Sequence, residues 1–294
     1  MKDNKSSIVF VGVVGSGKTV LLSVLALRYN LRPMDADAQD FRDEVQRSLE
    51  AQKWPDKTNS KSKLMHWRLN HQGKKYPLWT RDVPGEDWYK YVRENQVPED
   101  MALAEEFKEL EEQIKKAPGL CLLLDLTPDI NEGINFDQRN FVEATANLLE
   151  KNKSDVPVAL VVTKCGTYGK DRDELDALVK EKYLCFFDGS AQADILFIDA
   201  VADIVSDLRN PKHFLPAENF HSEGIEKLLN WIAEKSDYKN FKAGCAAFCI
   251  VSFRFAIYIA VLWWLGFYRC VSFWVILLFV FVFTVVEILI RRFL

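Results

Sequence analysis

The chain has 294 residues, enough for one sizeable domain with an appended segment, and its net charge is −4. Residues 243–294 hold four arginines and one glutamate, so they carry +3 and leave −7 on residues 1–242. A mildly acidic domain with no basic stripe argues against nucleic acid as the main partner. The six cysteines form no C-x-x-C pair and the four histidines lack metal-ligand spacing, which does not favour a zinc site.

The first predicted strand, Ile8–Val11, leads into a glycine-rich turn and then a predicted helix over Thr19–Tyr29. The turn reads Gly-Val-Val-Gly-Ser-Gly-Lys-Thr, which fits G-x-x-x-x-G-K-[ST] at every position. In this motif backbone N–H groups cradle phosphates, the lysine reaches the β and γ oxygens, and the threonine hydroxyl binds Mg²⁺. The positive end of the helix points at the same anion. The turn predicts a nucleoside triphosphate site at Gly12, Gly15, Ser16, Gly17, Lys18 and Thr19.

Strand-like and helix-like segments alternate along the rest of residues 1–242. Two extended segments, 63–69 and 76–81, flank a turn at 70–73 and predict a hairpin. The alternation predicts an α/β domain with a mostly parallel sheet flanked by helices. The remaining predicted elements are a helical piece near 41–49, helices at 99–116, 136–151, 173–182 and 224–235, and strands at 120–124, 156–162 and 195–198.

A second chemical signal stands at the end of the strand over 76–81, where the chain reads Asp82-Val83-Pro84-Gly85. In nucleotide switches an aspartate here holds the water shell of Mg²⁺, and the glycine N–H senses the γ-phosphate. A plain turn is the alternative interpretation. Asp125, after the apolar strand at 120–124, is the alternative magnesium residue, as in ATPase-type P-loop proteins. Asp82 is preferred because Gly85 accompanies it.

The phosphate loop, the antiparallel second strand, the Asp82–Gly85 turn and the pair Thr163-Lys164 together resemble a small Ras-like GTPase of the TRAFAC class. The resemblance covers roughly residues 6–236 and is greatest to the double-GTPase domains of bacterial signalling and conflict systems. It implies a P-loop NTPase fold that takes GTP and Mg²⁺. By this resemblance the metal residues are Thr19, Thr58 and Asp82, and the base-contacting residues are Thr163, Lys164 and Ala200.

Two departures from the family pattern concern the base. The family reads guanine with N/T-K-x-D, whereas this chain has Gly166 where the carboxylate should stand. Asp171 and Asp173 are the candidate substitutes. The later base-contact loop, usually S-A-x, corresponds to Asp199-Ala200-Val201, in which Ala200 fits and Asp199 does not. Guanine preference therefore depends on the resemblance, and ATP stays open.

A further departure concerns catalysis. Ras-like enzymes place a water-orienting glutamine after the switch glycine, where this chain has Glu86. A carboxylate can orient water, but it also repels the γ-phosphate. We expect slow hydrolysis with Lys18, Gly85 and Glu86 as the catalytic residues. The aromatic residues that follow, Trp88, Tyr89 and Tyr91, either form an exposed partner surface or pack against a neighbouring helix.

Residues 243–294 are predicted to form a transmembrane helical hairpin. The segments 243–265 and 270–290 contain one charge each, Arg254 and Glu287, and each can cross a hydrocarbon core of roughly 30 Å. Basic residues flank both outer ends, which predicts that residues 1–242 face the cytoplasm. The resemblance to bacterial domains implies that the membrane is the bacterial inner membrane. A pair of apolar core helices is the alternative.

The favoured function is a membrane-anchored switch that binds and slowly hydrolyses GTP in bacterial signalling or defence against phage. A protein partner or a second copy would read the switch region. One alternative is a membrane-disrupting effector gated by the nucleotide domain, which the intramembrane Arg254 favours. The other is an ATP-binding P-loop protein or pseudo-GTPase.

Overall fold

The computed structural model describes residues 7–13, 15–51, 53, 65–82, 85–94, 96–98, 101–127, 136–152, 154–187, 193–202, 204–207, 210–216, 221–242 and 244. The chain divides into two compact units, Met1–Lys239 and Asn240–Leu294. In the second unit the described residues, 240–242 and 244, are helical. The predicted boundary after residue 242 stays a prediction.

The described strands and helices alternate for most of the first unit. The strands are β1 (Ile8–Gly12), β2 (Leu31–Pro33), β3 (Met65–His71), β4 (Lys74–Asp82), β5 (Leu120–Leu124), β6 (Val158–Val162), β7 (Ala193–Phe197), β8 (Ile204–Asp207) and β9 (Asn210–Pro216). The helices are α1 (Lys18–Arg28), α2 (Ala36–Glu50), α3 (Gly85–Arg93), α4 (Met101–Lys116), α5 (Phe136–Lys151), α6 (Arg172–Lys182) and α7 (225–239).

Seven of the described strands form one sheet in the order β2-β3-β4-β1-β5-β6-β7. Strand β3 runs antiparallel to both of its neighbours, and the pairs from β4 to β7 are parallel. Strands β8 and β9 form a separate antiparallel pair. The α/β fold with a mostly parallel sheet is therefore confirmed.

Side chains of the parallel strands alternate between two cores, one on each face of the sheet. In β1, Val9 and Val11 join the core that contains Phe107 of α4, whereas Ile8 and Phe10 join the core on the other face. Because both faces are covered, the central strands are continuous apolar runs, as in LCLLL of β5 and VALVV of β6. This double burial keeps the ends of the strands at fixed positions.

The predicted hairpin is confirmed, with β3 and β4 joined through a turn in which Gln72 and Gly73 have φ of +49° and +75°. The bounds of β5 and α5 agree with the prediction. The sequence analysis missed β2, α3 and the β8–β9 pair. It also placed only part of α2, whose polar residues hide the periodicity of its buried positions Ala38 and Val45.

No helix among the described residues is long and apolar enough to cross a membrane. The predicted hairpin segments, 243–265 and 270–290, lie outside the described residues except for residue 244. The transmembrane hairpin therefore stays a prediction.

Candidate nucleotide-binding site

The candidate site lies along one edge of the sheet, where the carboxyl ends of the parallel strands meet. The register pairs Gly12, at the end of β1, with Asp82 at the end of β4. Asp125 and Thr163 directly follow β5 and β6 at the same edge. This is the edge at which open α/β sheets bind their ligands. The fold thus brings together the segments that the sequence analysis singled out separately.

The predicted phosphate loop connects β1 to α1. Gly15 and Gly17 have φ of +89° and +79°, values that residues other than glycine rarely adopt. Gly17 is the N-cap of α1, so the helix begins at Lys18 and its N-terminal end faces the loop. The backbone therefore has the conformation that a phosphate cradle needs.

Two polar side chains of this loop are buried. Lys18 is 4% exposed, and its Nζ donates a hydrogen bond of 3.2 Å to the carbonyl oxygen of Gly12. The hydroxyl of Ser16 is buried and has no hydrogen-bond partner among the described residues. A buried hydroxyl without a partner costs about 1–3 kcal/mol, which a bound oxyanion would recover. The buried ammonium and the orphaned hydroxyl fit a polyphosphate.

Thr163 packs against the loop from the end of β6. Its Oγ1 lies 3.0 Å from the carbonyl oxygen of Ser16 and 3.1 Å from that of Leu124. A Cβ built on Gly17 would lie only 2.7 Å from Thr163 Oγ1. Gly17 therefore serves both the left-handed conformation and the close approach of the two segments.

Lys164 holds the next position in a left-handed conformation, with φ +59°. This conformation costs a residue other than glycine roughly 1–2 kcal/mol. The Nζ of Lys164 donates a hydrogen bond of 3.1 Å to the carbonyl oxygen of Gly15 and forms an ion pair with the carboxylate of Asp125. Lys164 thus connects the phosphate loop with the end of β5.

The carboxylate of Asp125, the alternative magnesium residue, is already engaged. Burial alone raises its pKa, but hydrogen bonds from Lys164 and Thr127 outweigh burial and lower the pKa. The hydroxyl of Tyr168 also lies 3.2 Å from Asp125 Oδ1, and burial with this negative charge raises the pKa of Tyr168. These contacts give Asp125 a structural role in holding Lys164.

Gly166 lies against the carboxylate of Asp199, which follows β7. The backbone N–H of Gly166 donates a hydrogen bond of 2.8 Å to Asp199 Oδ2, and a Cβ at position 166 would collide with that oxygen. Burial raises the pKa of Asp199, and its hydrogen bond to Gly166 opposes this. Next to Asp199, Ala200 accepts a hydrogen bond from Ser222 Oγ at 2.7 Å.

The candidate switch residues are only partly described. Asp82 ends β4 and Gly85 begins α3, but the Asp82 side chain and Thr58 lie outside the described residues. Glu86 is exposed and accepts a hydrogen bond from Lys90 at 2.7 Å, which lowers its pKa. A catalytic role for Glu86 would require it to turn away from Lys90.

The aromatic residues of α3 pack inward. Trp88 is fully buried, and its ring centroid lies 5.3 Å from that of Phe107 and 5.8 Å from that of Tyr91. Its Nε1 donates a hydrogen bond of 3.1 Å to Thr145 Oγ1 of α5. Of the two interpretations that the sequence left open for Trp88, packing against a neighbouring helix is confirmed.

Magnesium fits this site through oxygen donors. Among the described residues, no group of three or more His, Cys, Asp or Glu side chains could hold a metal ion. Mg²⁺ at nucleotide sites is usually bound by one or two protein oxygens, substrate phosphates and water. Thr19, the second residue of α1, is placed to supply such an oxygen, and the backbone of Asp82 lies beside Gly12 in the sheet register.

Sequence reasoning missed three features of the site. The contacts of Tyr168 join residues more than forty positions apart, and no local pattern marks them. Asp199 appeared as a misfit in the base-contact loop, and that misfit together with glycine at 166 was the available signal. The buried Arg81, paired with Glu106 of α4, also lies next to Asp82 without having been singled out.

Comparisons with known proteins give only distant matches. No family model and no curated protein matches the sequence. The similar solved structures include a variant of a protein titled SsGBP, at 19% identity and a TM-score of 0.35, covering 67% of this chain and 51% of that one. An ADP-ribosylation-factor-like GTP-binding protein, the small COPII coat GTPase SAR1 of Encephalitozoon cuniculi in complex with GDP, matches at 13% identity and 0.42, covering 82% and 84%.

A GTP-binding protein of Sulfolobus solfataricus in complex with GDP matches at 18% identity and a TM-score of 0.37, covering 79% of this chain and 52% of that one. This chain thus spans about half the length of the first and third of these proteins. At these TM-scores the likeness is too weak to indicate a ligand or an activity for this chain.

Proposed function

We propose that this chain is a magnesium-dependent nucleotide switch that binds GTP and hydrolyses it slowly. The observation that carries the proposal is the loop from Gly12 to Thr19. It combines two left-handed glycines, the N-terminus of α1, the buried Lys18 and the orphaned hydroxyl of Ser16. Each of these features stabilises a polyphosphate anion, and no packing requirement explains all four.

The residues around the loop divide the work of holding the triphosphate. Lys18 neutralises the β and γ oxygens, and Thr19 and Asp82 hold the metal ion directly or through water. Bound Mg²⁺ would supply charge neutralisation for the phosphoryl group in transfer. Thr163 and Lys164 fix the shape of the loop through Ser16 and Gly15.

Slow hydrolysis follows from the position of Glu86. Its carboxylate is paired with Lys90 and carries a negative charge that would repel the γ-phosphate. The segment from Gly85 into α3 would respond to the γ-phosphate, and a protein partner or a second copy would read that response. Because the side chain of Trp88 anchors α3 in the core, a shift of this helix would also change the core packing around Trp88.

The experiment that tests this proposal is a competition assay on the full chain in detergent or lipid. GTP, ATP and their diphosphates are titrated against a fluorescent guanine nucleotide, with and without Mg²⁺. We expect GTP and GDP to compete well and ATP to compete poorly. Equal competition by ATP would contradict guanine specificity, and no competition by any nucleotide would contradict the switch.

The proposal includes a membrane anchor for the switch. Residues 243–265 and 270–290 form the hairpin in this account, with both ends and residues 1–242 on the cytoplasmic side of a bacterial inner membrane. Support comes from the composition of these segments and the basic residues that flank them. Protease treatment of inverted vesicles tests it, because the nucleotide domain should be digested from the outside.

One sequence feature favours a second candidate function, a membrane-disrupting effector. Arg254 lies inside the first predicted span, where a charge usually faces the interior of a bundle or pore. Leakage of a dye from liposomes that depends on the added nucleotide would support this candidate. Liposomes that stay tight with GTP, GDP and no nucleotide would leave the hairpin as an anchor only.

A further inference from the structure

We propose that Asp199 supplies the carboxylate that reads the guanine base, in place of the missing side chain at position 166. This inference rests on the proposed function, since it names the specificity residue of the same nucleotide site. Asp199 Oδ2 accepts a 2.8 Å hydrogen bond from the N–H of Gly166 and occupies the space into which a side chain at 166 would extend. In this proposal the carboxylate that reads the base stands on the loop after β7, at position 199, and not on the loop after β6, at position 166.

The side chain of Asp199 and any side chain at position 166 compete for the same space. A Cβ on Gly166 would collide with Asp199 Oδ2, so any side chain at 166 would require the Asp199 carboxylate to move from its contact with the Gly166 N–H. The backbone does not require glycine there, because Gly166 is not among the described residues with positive φ. Glycine at 166 is thus explained by the presence of Asp199.

The alternative carboxylates are otherwise occupied or face solvent. Asp171 is the N-cap of α6, and its Oδ1 accepts a hydrogen bond of 2.9 Å from the N–H of Glu174. Asp173 is exposed in the first turn of the same helix. Releasing Asp171 from its cap would cost about 1 kcal/mol in helix stability.

Asp199 is held firmly enough to select a base. Its backbone exchanges two hydrogen bonds with Glu223, of 3.1 and 2.8 Å, and the N–H of Ile198 continues the pairing with β6 at 2.8 Å. An ionised carboxylate has about four acceptor positions, so the bond from Gly166 leaves capacity for further donors. Half-burial strengthens such bonds because water competes less.

The chemistry of the base follows from these acceptor positions. Guanine presents two donors, N1–H and the 2-amino group, which match the two oxygens of a carboxylate. Adenine presents an acceptor at N1 and has no 2-amino group, so it would leave a half-buried carboxylate without partners. Xanthine has a carbonyl oxygen at C2, which an amide N–H₂ would match instead.

The test measures the affinities of GDP, XDP and ADP for the full chain with Mg²⁺. Wild type should bind GDP in preference to both others. Asp199→Asn should weaken GDP by about 10- to 100-fold and strengthen XDP, which inverts the ratio of the two. The matched control, Asp171→Asn, should leave the ratio unchanged. A merely structural role for Asp199 would weaken all three nucleotides equally.

A second pair of variants keeps the test decisive if Asp199→Asn folds poorly. Gly166→Asp alone should lower the melting temperature, because it displaces the Asp199 carboxylate from the Gly166 N–H and places two negative charges side by side. Gly166→Asp with Asp199→Ser should recover the melting temperature and keep GDP selectivity. If wild type selects GDP but Asp199→Asn keeps the wild-type ratio of GDP to XDP affinity, the inference is wrong. It is also wrong if Gly166→Asp alone leaves the melting temperature unchanged. If wild type itself does not distinguish GDP from ADP, the proposed GTP function fails instead.

Discussion

Lys164 Nζ lies 3.1 Å from the carbonyl oxygen of Gly15 and forms an ion pair with Asp125. One side chain thus joins the phosphate loop, the end of β5 and the segment after β6. The backbone of Lys164 is in the left-handed region, with φ +59°. The contact explains why a Thr-Lys pair far along the chain belongs to the phosphate site.

Replacing Asp125 with Asn should lower the free energy of unfolding by about 1–2 kcal/mol at pH 7. The figure is modest because Lys164 is 42% exposed and solvent screens the pair. The folded-state pKa of Asp125 is lowered, so its contribution is complete above the usual aspartate value of 3.8 and disappears as the pH falls through the lower folded-state pKa.

Urea unfolding at pH 7, 4 and 3 measures this contribution. The difference between wild type and Asp125→Asn should shrink as the solution becomes more acidic. Asp176→Asn, which breaks the exposed pair with Lys180 on α6, is the matched control and should cost much less at pH 7. An Asp125 difference that grows toward pH 3 would contradict the assigned direction of the pKa shift.

Gly17→Ala should damage the phosphate loop more than Gly15→Ala. Both residues have positive φ, so each substitution costs roughly 1–2 kcal/mol in backbone strain. Only the Cβ at Gly17 also meets Thr163, whereas nothing lies within 4 Å of a Cβ at Gly15. Urea unfolding without nucleotide should show a larger loss in the free energy of unfolding for Gly17→Ala. Equal losses for the two variants would contradict a steric role for Thr163 at Gly17.

Trp88→Ala should lower the free energy of unfolding by about 3–5 kcal/mol, because it removes a buried ring from the core between α3 and α5. The control is Tyr89→Ala on the same helix, where the ring is only partly buried beside Arg93. Thermal or urea unfolding should show a much smaller loss for Tyr89→Ala. Similar losses for the two variants would mean that α3 is not anchored through Trp88.

The full chain should release phosphate from GTP in a single turnover at less than about one per second. Glu86→Gln should be faster than wild type, because it removes a negative charge near the γ-phosphate and keeps a group that orients water. Glu94→Gln, which neutralises an exposed carboxylate just after α3, should leave the rate unchanged. A fast wild type, or a Glu86→Gln variant with no change, would contradict the role given to Glu86.

The elements that sequence reasoning placed well are those with a strong local pattern. The run Leu120–Leu124 has five apolar residues because both faces of β5 are buried, and the phosphate-loop motif combines a turn, a lysine and a helix start in eight consecutive residues. Strand β2 has only three residues and is defined by its pairing with β3, so its own sequence gives little indication of a strand.

The relationships that sequence reasoning could not supply join distant segments. Gly166 and Asp199 are 33 positions apart and meet only because β6 and β7 are parallel neighbours. Taken separately, each residue looked like a departure from the family pattern. In the structure, the Asp199 carboxylate occupies the space that a side chain at position 166 would need.

The most direct test of the central claim is calorimetric titration of Mg²⁺ with a non-hydrolysable GTP analogue into the full chain and into Lys18→Ala. Wild type should bind one nucleotide per chain, and Lys18→Ala should bind at least about tenfold more weakly because a buried charged contact to phosphate is lost. Lys182→Ala, in the last turn of α6, should bind like wild type. Equal affinities for wild type and Lys18→Ala, or no heat of binding with wild type, would contradict a triphosphate held at this loop.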